Sequence, residues 1–275
     1  MTAFRPIAGL SEIAGDVDLL LCDVFGTLHD AERTFALALD TLARFRRGGG
    51  TVVLVSNAAE PRAHFSATLA ARGIRGVFDA LVSAADVTRD ALRERAVLPE
   101  PGAARGSVEA VHIGPERDRV LFDGLGITLG GSAAAPIVCT GYPEHDADLD
   151  EILVRAVRRG ALMLCTNPDT SLGVGGRVLR FAGLVAQRYR HLGGCVVETG
   201  KPGPAIYAAA LAAARRATGR EFHPARILGI GDTPALDAGG ALAAGFSAAL
   251  LAPPMGDLPD LVGAGRRYRL PALVW

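Results

Sequence analysis

VDLLLCDVF, residues 17–25, is an apolar run interrupted near its end by one carboxylate, Asp23, and followed by Gly26. A run of this length without alternation reads as a strand buried on both faces. The glycine after it reads as a turn. Downstream, the spacing of Phe35, Leu39, Leu42 and Phe45 predicts a helix over 34–47, ended by Gly48-Gly49-Gly50. TVVLV at 51–55 is a second buried strand, and Pro61 opens a helix that closes at Gly73. The same grammar returns late in the chain. Pro204 opens a helix to about Ala217 before Gly219, RILGI at 226–230 is a strand, a helix starts near Pro234, and FSAALLA at 246–252 is a strand. Buried strands alternating with helices argue for a parallel sheet covered on both faces.

The middle of the chain differs. LPEPGAARGS at 98–107 is a Pro/Gly-rich connection. Strands follow near 108–113, 136–140 and 161–165, with a helix near 148–159. The expected fold is therefore α/β: a Rossmann-like, doubly wound parallel core with a second α/β unit inserted. The core takes residues 1–85 and 196–275, and the insert takes 86–195.

Bulk properties narrow the function classes. At 275 residues, 49% hydrophobic and 21% charged, the chain has ample material for a packed core. Basic and acidic residues balance at 29 each, so no net field favours nucleic acid or an anionic membrane. The Ala/Leu-rich stretch from Gly239 to Pro254 is too short and too broken by glycine and serine to span a bilayer. MTAFRPIAGLSE lacks the basic start and apolar core of a signal peptide. Cys22, Cys139, Cys165 and Cys195 form no C-x-x-C pair, and buried thiols in a reducing compartment are expected. A cytoplasmic protein is the expectation, with a homo-oligomer left open.

In an open parallel sheet the chemistry lies beyond the carboxyl ends of the strands. Those ends carry Asp23 with Phe25-Gly26-Thr27, then Ser56-Asn57, then Gly231-Asp232 followed by Asp237. A carboxylate ending an apolar strand is costly to bury unless a cation offsets it; by itself Asp23 could equally cap its own turn. Ser56-Asn57 stand at a strand-to-helix junction, suited to an anion or to ordinary helix capping. Acidic residues in a first helical turn are common, but Asp23 and Asp232 would also supply the oxygen ligands that magnesium prefers. Lys201 is the only lysine among the 29 basic residues, and it stands in GKPGP at the start of a helix. The helix dipole disfavours a cation there unless an anion lies between.

Taken together, DVFGTL at 23–28, VSN at 55–57, GKPGP at 200–204 and GDTPALD at 231–237 resemble the four ordered motifs of the haloacid dehalogenase superfamily. GYPEHDADLDEILVRAV and ALMLCTNPDTSL resemble the large α/β cap of its class IIA branch, which includes sugar- and nucleotide-type phosphatases. The resemblance implies that Asp23 attacks phosphorus to form an aspartyl-phosphate. It implies that Mg2+ is held by Asp23, the Phe25 carbonyl and Asp232, with Asp237 as outer support. It also implies that Ser56 and Lys201 hold phosphoryl oxygens, with Gly26, Thr27 and Asn57 beside the substrate. Asn167 and Asp169 in the cap are candidates for substrate contact, as are Thr170, Tyr142, Glu144 and His145. The implied partner is a small phosphorylated molecule.

One position departs from the phosphatase pattern. Two residues after the nucleophile a second aspartate usually serves as general acid and base, and here Phe25 stands. His29 and Asp30, in the hairpin beyond, are candidate replacements. Three functions follow: a magnesium-dependent phosphatase, a dehalogenase-like hydrolase of non-phosphate bonds, or a ligand-binding protein with weakened turnover.

Overall fold

A computed structural model describes residues 3–97, 108–130, 135–145, 148–174, 177–251 and 260–275. The connection at 98–107 and the end of the Gly239–Pro254 stretch, from residue 252 on, lie outside the described residues. In chain order the elements begin β1 (Arg5–Pro6), β2 (Leu19–Cys22), α1 (Ala36–Arg47), β3 (Thr51–Ser56), α2 (Arg62–Ala71), β4 (Ala80–Ser83) and α3 (Ala84–Val97). Next come β5 (Val108–Ile113), β6 (Ile127–Leu129), β7 (Ile137–Cys139), α4 (Leu149–Arg158), β8 (Leu162–Cys165), β9 (Ser171–Val174), β10 (Arg177–Arg180), α5 (Ala182–His191) and β11 (Cys195–Glu198). The chain then runs through α6 (Pro204–Thr218), β12 (Ile227–Gly231), α7 (Gly240–Ala243), β13 (Ser247–Leu251) and β14 (Arg267–Leu270).

The chain forms two compact units. The first holds residues 1–56, 62–82 and 204–275; the second holds 57–61 and 83–203. The first unit is built on a seven-stranded sheet in the order β1-β14-β13-β12-β2-β3-β4. Its β2, β3 and β12 are buried at every position. Their apolar runs are continuous because both faces are covered. Register is in step across the centre: Leu19 pairs with Ile227 on one side and Thr51 on the other. The carboxyl ends of β12, β2 and β3 therefore come out side by side.

The second unit has a five-stranded sheet in the order β11-β8-β7-β5-β6, and β9 and β10 form a separate antiparallel pair. Side chains alternate between two cores. Ile113, Ile137, Cys139, Met163 and Cys165 meet α4 and α5 on one face. Ala110, Val138 and Leu164 meet Leu92 of α3 and Leu121 and Phe122 on the other. Period-two alternation sends neighbouring residues to opposite faces, so these short strands are buried on both sides.

Several sequence expectations shift by a turn or less. The strand expected over 17–25 ends at Cys22, and Phe25 makes only an isolated bridge to His29. α1 starts at Ala36, and its buried face is Ala38, Thr41, Leu42 and Phe45; Phe35 is extended as its N-cap. The helix expected near Pro234 is a π-helical turn, Pro234–Gly239, that leads into the single turn of α7. Cys22, Cys139 and Cys165 are buried, and burial pushes the Cys165 thiol up to about 12. Cys195 is exposed, contrary to the expectation of a buried thiol, because β11 is the edge strand and Cys195 faces outward. Among the described residues no helix is long and apolar enough to cross a membrane.

Candidate active site

Asp23 follows β2, Ser56 ends β3, and Asp232 follows β12; all three belong to the first unit. Asp23, Asp232 and Asp237 each bring a carboxylate oxygen within 4.8 Å of the others. Asp23 and Asp237 are buried, and Asp232 is exposed. Three like charges this close repel one another, and burial removes the water that would screen them. A hard divalent cation takes oxygen ligands from such a set.

Local geometry holds these carboxylates in place. The Thr27 hydroxyl donates to Asp23 Oδ2 at 3.0 Å, and the Asp23 backbone N–H stays in the sheet by donating to the Ile230 carbonyl at 2.9 Å. Asp237 Oδ2 accepts the Thr233 N–H at 2.9 Å, closing the turn that carries Asp232. Two glycines make room. Gly26 has φ +82°, and a Cβ there would lie 1.9 Å from Asp232 Oδ2; at Gly231 a Cβ would lie 2.2 Å from Asp237 Oδ2. Gly26→Ala is thus strained in its backbone and also displaces Asp232. The Gly26→Ala protein is expected to lose the rise in melting temperature that millimolar divalent cation gives the wild type, as read by differential scanning fluorimetry. An unchanged rise would count against the acidic set as a cation site.

The hairpin after Asp23 carries the candidates for a replacement acid or base. His29 is buried, its Nδ1 meets the Asp30 carbonyl at 2.9 Å, and its ring stands edge-on to Phe25 with centroids 5.5 Å apart. Asp30 accepts the backbone N–H groups of Arg33 and Glu32, both at 2.8 Å. Those two bonds, Arg33's the larger, hold its carboxyl below the usual range. Asp30 therefore works as a turn cap and is a weak proton donor near neutrality. The Phe25 side chain is 42% exposed. A hollow of about 710 Å3 in the same unit is lined by Gly26, Thr27 and Asp232 together with apolar residues that include Phe35 and Leu273.

The remaining candidates belong to the second unit. Asn57 ties Lys201 down: its Oδ1 accepts the Lys201 N–H at 2.7 Å, and its Nδ2 donates to the Lys201 carbonyl at 3.0 Å. The Asn57 amide also meets Asn167 Oδ1 at 3.4 Å. Lys201 is 4% exposed. Gly200 lets this loop close, since a Cβ would lie 2.1 Å from the Thr166 carbonyl oxygen. Asn167 Oδ1 accepts the Asp169 N–H at 3.1 Å, and Asp169 Oδ1 accepts the Thr170 N–H at 2.8 Å. The Arg180 guanidinium lies over the Tyr142 ring at 5.0 Å, and Glu144 and His145 are exposed. Sequence reasoning passed over His112, Asp118 and Thr140, which meet at the ends of β5 and β7. They are scattered along the chain and fall in no motif; only Gly114 and Gly141 marked their neighbourhood.

A parallel α/β sheet with a carboxylate cluster at its strand ends, and a second α/β unit carried in mid-chain, fits the haloacid dehalogenase type of enzyme. The chain belongs to the haloacid dehalogenase-like hydrolase family. Residues 20–128 match the family model described as haloacid dehalogenase-like hydrolase, and residues 198–257 match a second, HAD-hydrolase-like model. A solved hydrolase of the haloacid dehalogenase-like family from Brucella suis 1330 is 33% identical, covers 98% of this chain and 100% of its own, and superposes with a TM-score of 0.81. Human chronophin is 29% identical over 239 residues, 82% of this chain and 77% of chronophin. A Mycobacterium tuberculosis glycerol phosphate phosphatase solved with magnesium is 25% identical over 86% of this chain and 69% of its own, with a TM-score of 0.63. The class IIA branch fits these likenesses.

Proposed function

We propose that this hydrolase is a magnesium-dependent phosphatase of a small phosphorylated metabolite, with the first unit as catalytic core and the second as cap. The observation that carries the reading is the meeting of Asp23, Asp232 and Asp237, whose carboxylate oxygens come within 4.8 Å. The glycerol phosphate phosphatase with magnesium and the nitrophenyl phosphatases among the structural neighbours point the same way.

In this reading Asp23 is the nucleophile. One of its carboxylate oxygens attacks phosphorus, the ester P–O bond breaks, and the leaving oxygen departs with the electron pair. Water then attacks the aspartyl-phosphate, releasing inorganic phosphate and regenerating Asp23. The Thr27 hydroxyl, bonded to Oδ2, fixes the orientation of the attacking carboxylate. Ser56 and Lys201 are assigned to the phosphoryl oxygens, where positioned donors stabilise charge developing in the transition state. Gly26, Thr27 and Asn57 lie along the phosphate, and Asn167 and Asp169 are assigned to the substrate side of the cap. Asp23, the Phe25 carbonyl and Asp232 would hold magnesium, with Asp237 supporting the loop of Asp232. Bound there, magnesium supplies a Lewis acid and neutralises phosphate charge.

Phe25 cannot protonate the leaving group or activate water, so turnover of esters with poor leaving groups is slowed. His29 is the nearer candidate to share that task, since Asp30 is occupied as a turn cap. The buried thiols of Cys22, Cys139 and Cys165 suit a reducing compartment and support a cytoplasmic location.

A panel of phosphate esters tests the reading. Phosphate release from at least one small ester is expected with magnesium, and none after chelation. Metal-independent turnover of a haloacid, with no phosphate released from any ester, would transfer the assignment to the dehalogenase-like alternative.

A further inference from the structure

The second unit has its own topological switch point. β5 lies inside its sheet, with β6 on one side and β7 on the other, and all these pairings are parallel. The chain leaves β5 towards the face covered by Leu121 and Phe122, and leaves β7 towards the face covered by α4. Connections that diverge in this way open a crevice at the carboxyl ends of the two strands, the usual place for a ligand in an open α/β sheet.

The residues at that point differ from those at the neighbouring strand ends. A buried threonine follows each of β7, β8 and β11: Thr140, Thr166 and Thr199. Thr166 and Thr199 turn their hydroxyls back to the Cys139 and Cys165 carbonyls at 3.4 and 3.2 Å. Thr140 instead joins two titratable side chains, with His112 Nε2 at 2.9 Å and Asp118 hydrogen-bonded as well. Burial pushes His112 down to about 4, so its ring is neutral near pH 7. A hydroxyl has one proton. If Thr140 gives it to the Asp118 carboxylate, it accepts from His112 Nε2–H, and Asp118 keeps lone pairs for other donors. The Asp118 side chain retains 13% of its exposure, and its Arg117 neighbour, at 3.8 Å, is 81% exposed and weakly held. Glu60 adds negative charge beside Asp118. Backbone closes in around the group: Gly114 has φ +151°, and a Cβ there would lie 2.1 Å from Thr140 Oγ1; at Gly141 a Cβ would lie 2.8 Å from Pro115.

We infer that Asp118 and Thr140, held by His112, recognise the hydroxyl groups of a polyol phosphate. The inference deepens the phosphatase reading and rests on it. Lys201 and Asn167 follow β11 and β8 on the same edge of the same sheet, and Asn57 is hydrogen-bonded to both. From β11 to β5 is three strand spacings, about 14 Å. The acidic end suits hydroxyl donors, and the ammonium end suits phosphate.

Calorimetric binding to the full-length protein in magnesium, with glycerol phosphate, a hexose phosphate, phosphoethanolamine and inorganic phosphate as probes, tests this independently of turnover. At least one polyol ester is expected to bind about tenfold more tightly than inorganic phosphate. Thr140→Val and Asp118→Asn should each remove that margin, and Thr140→Ser should keep it. All three variants should leave affinity for inorganic phosphate unchanged, which also reports that they are folded. No margin for a polyol ester, a margin that survives both substitutions, or tighter binding of phosphoethanolamine would each overturn the inference. The phosphatase reading is judged separately, by magnesium-dependent release of phosphate from p-nitrophenyl phosphate, which has no hydroxyl groups to recognise.

Discussion

Asp23→Asn protein is expected to release phosphate at least about 10⁴-fold more slowly than the wild type, with the fold and its melting temperature retained. The amide has nearly the shape of the carboxylate, so the site should remain assembled. It can still accept from the Thr27 hydroxyl, which donates to Asp23 Oδ2 at 3.0 Å in the native protein. The amide lacks a nucleophilic oxygen, and the phosphoryl group then has nothing to be transferred to. The substitution also removes one negative charge from the trio of Asp23, Asp232 and Asp237. Weaker repulsion there should leave the cation-free protein no less stable than before. Steady-state phosphate release read beside a thermal melt separates the two effects. Turnover surviving the change at more than a few per cent would dismiss Asp23 as nucleophile.

Phe25→Asp is the second large effect, and it acts in the opposite direction. The Phe25 side chain is 42% exposed, so a carboxylate put there keeps much of its water and costs little to introduce. It would stand two residues beyond Asp23, where it could protonate a leaving oxygen and then take a proton from water. Such help is typically worth about 10²–10⁴-fold. The gain should be concentrated in alkyl esters. It should be small for p-nitrophenyl phosphate, whose leaving group departs without a proton. That contrast, read as kcat on the two kinds of ester, separates general acid catalysis from a general loosening of the loop. The T-shaped contact between Phe25 and His29 would be lost, and a modest fall in melting temperature is expected. An unchanged rate on every ester would favour a ligand-binding role over a slow enzyme.

The parts of this protein that could be read from its residues share one property: their physics is local. β2, β3 and β12 are buried on both faces, so they appear as unbroken apolar runs, and the polar residue that ends each run is visible in the sequence. Proline before α2 and at the start of α6 marked their beginnings, and Gly73 and Gly219, both with positive φ, marked their ends. Two of the elements that were missed, β1 and β14, have little local signal. β1 is two residues long, and β14 carries two arginines within four residues, Arg267 and Arg269. Both are strands only because a neighbouring strand is there to pair with them. The π-helical turn at Pro234–Gly239 has the composition of an ordinary helix start, and the pull of Asp237 back to the Thr233 N–H becomes visible only in three dimensions.

The sequence by itself showed which polar residues end the buried strands, because a carboxylate closing an apolar run stands out wherever it lies, and the order of those motifs carried the resemblance that implied the class of enzyme. Only the tertiary structure decided which carboxylates meet, that Gly26 and Gly231 are the clearances that let them meet, and that Asp30 is occupied by its own turn. It also decided that His112, Asp118 and Thr140, which share no motif, stand together at a switch point of their own. Contacts between residues distant in the chain depend on sheet order and register, and these are set by the packing of whole strands rather than by any stretch of sequence read alone.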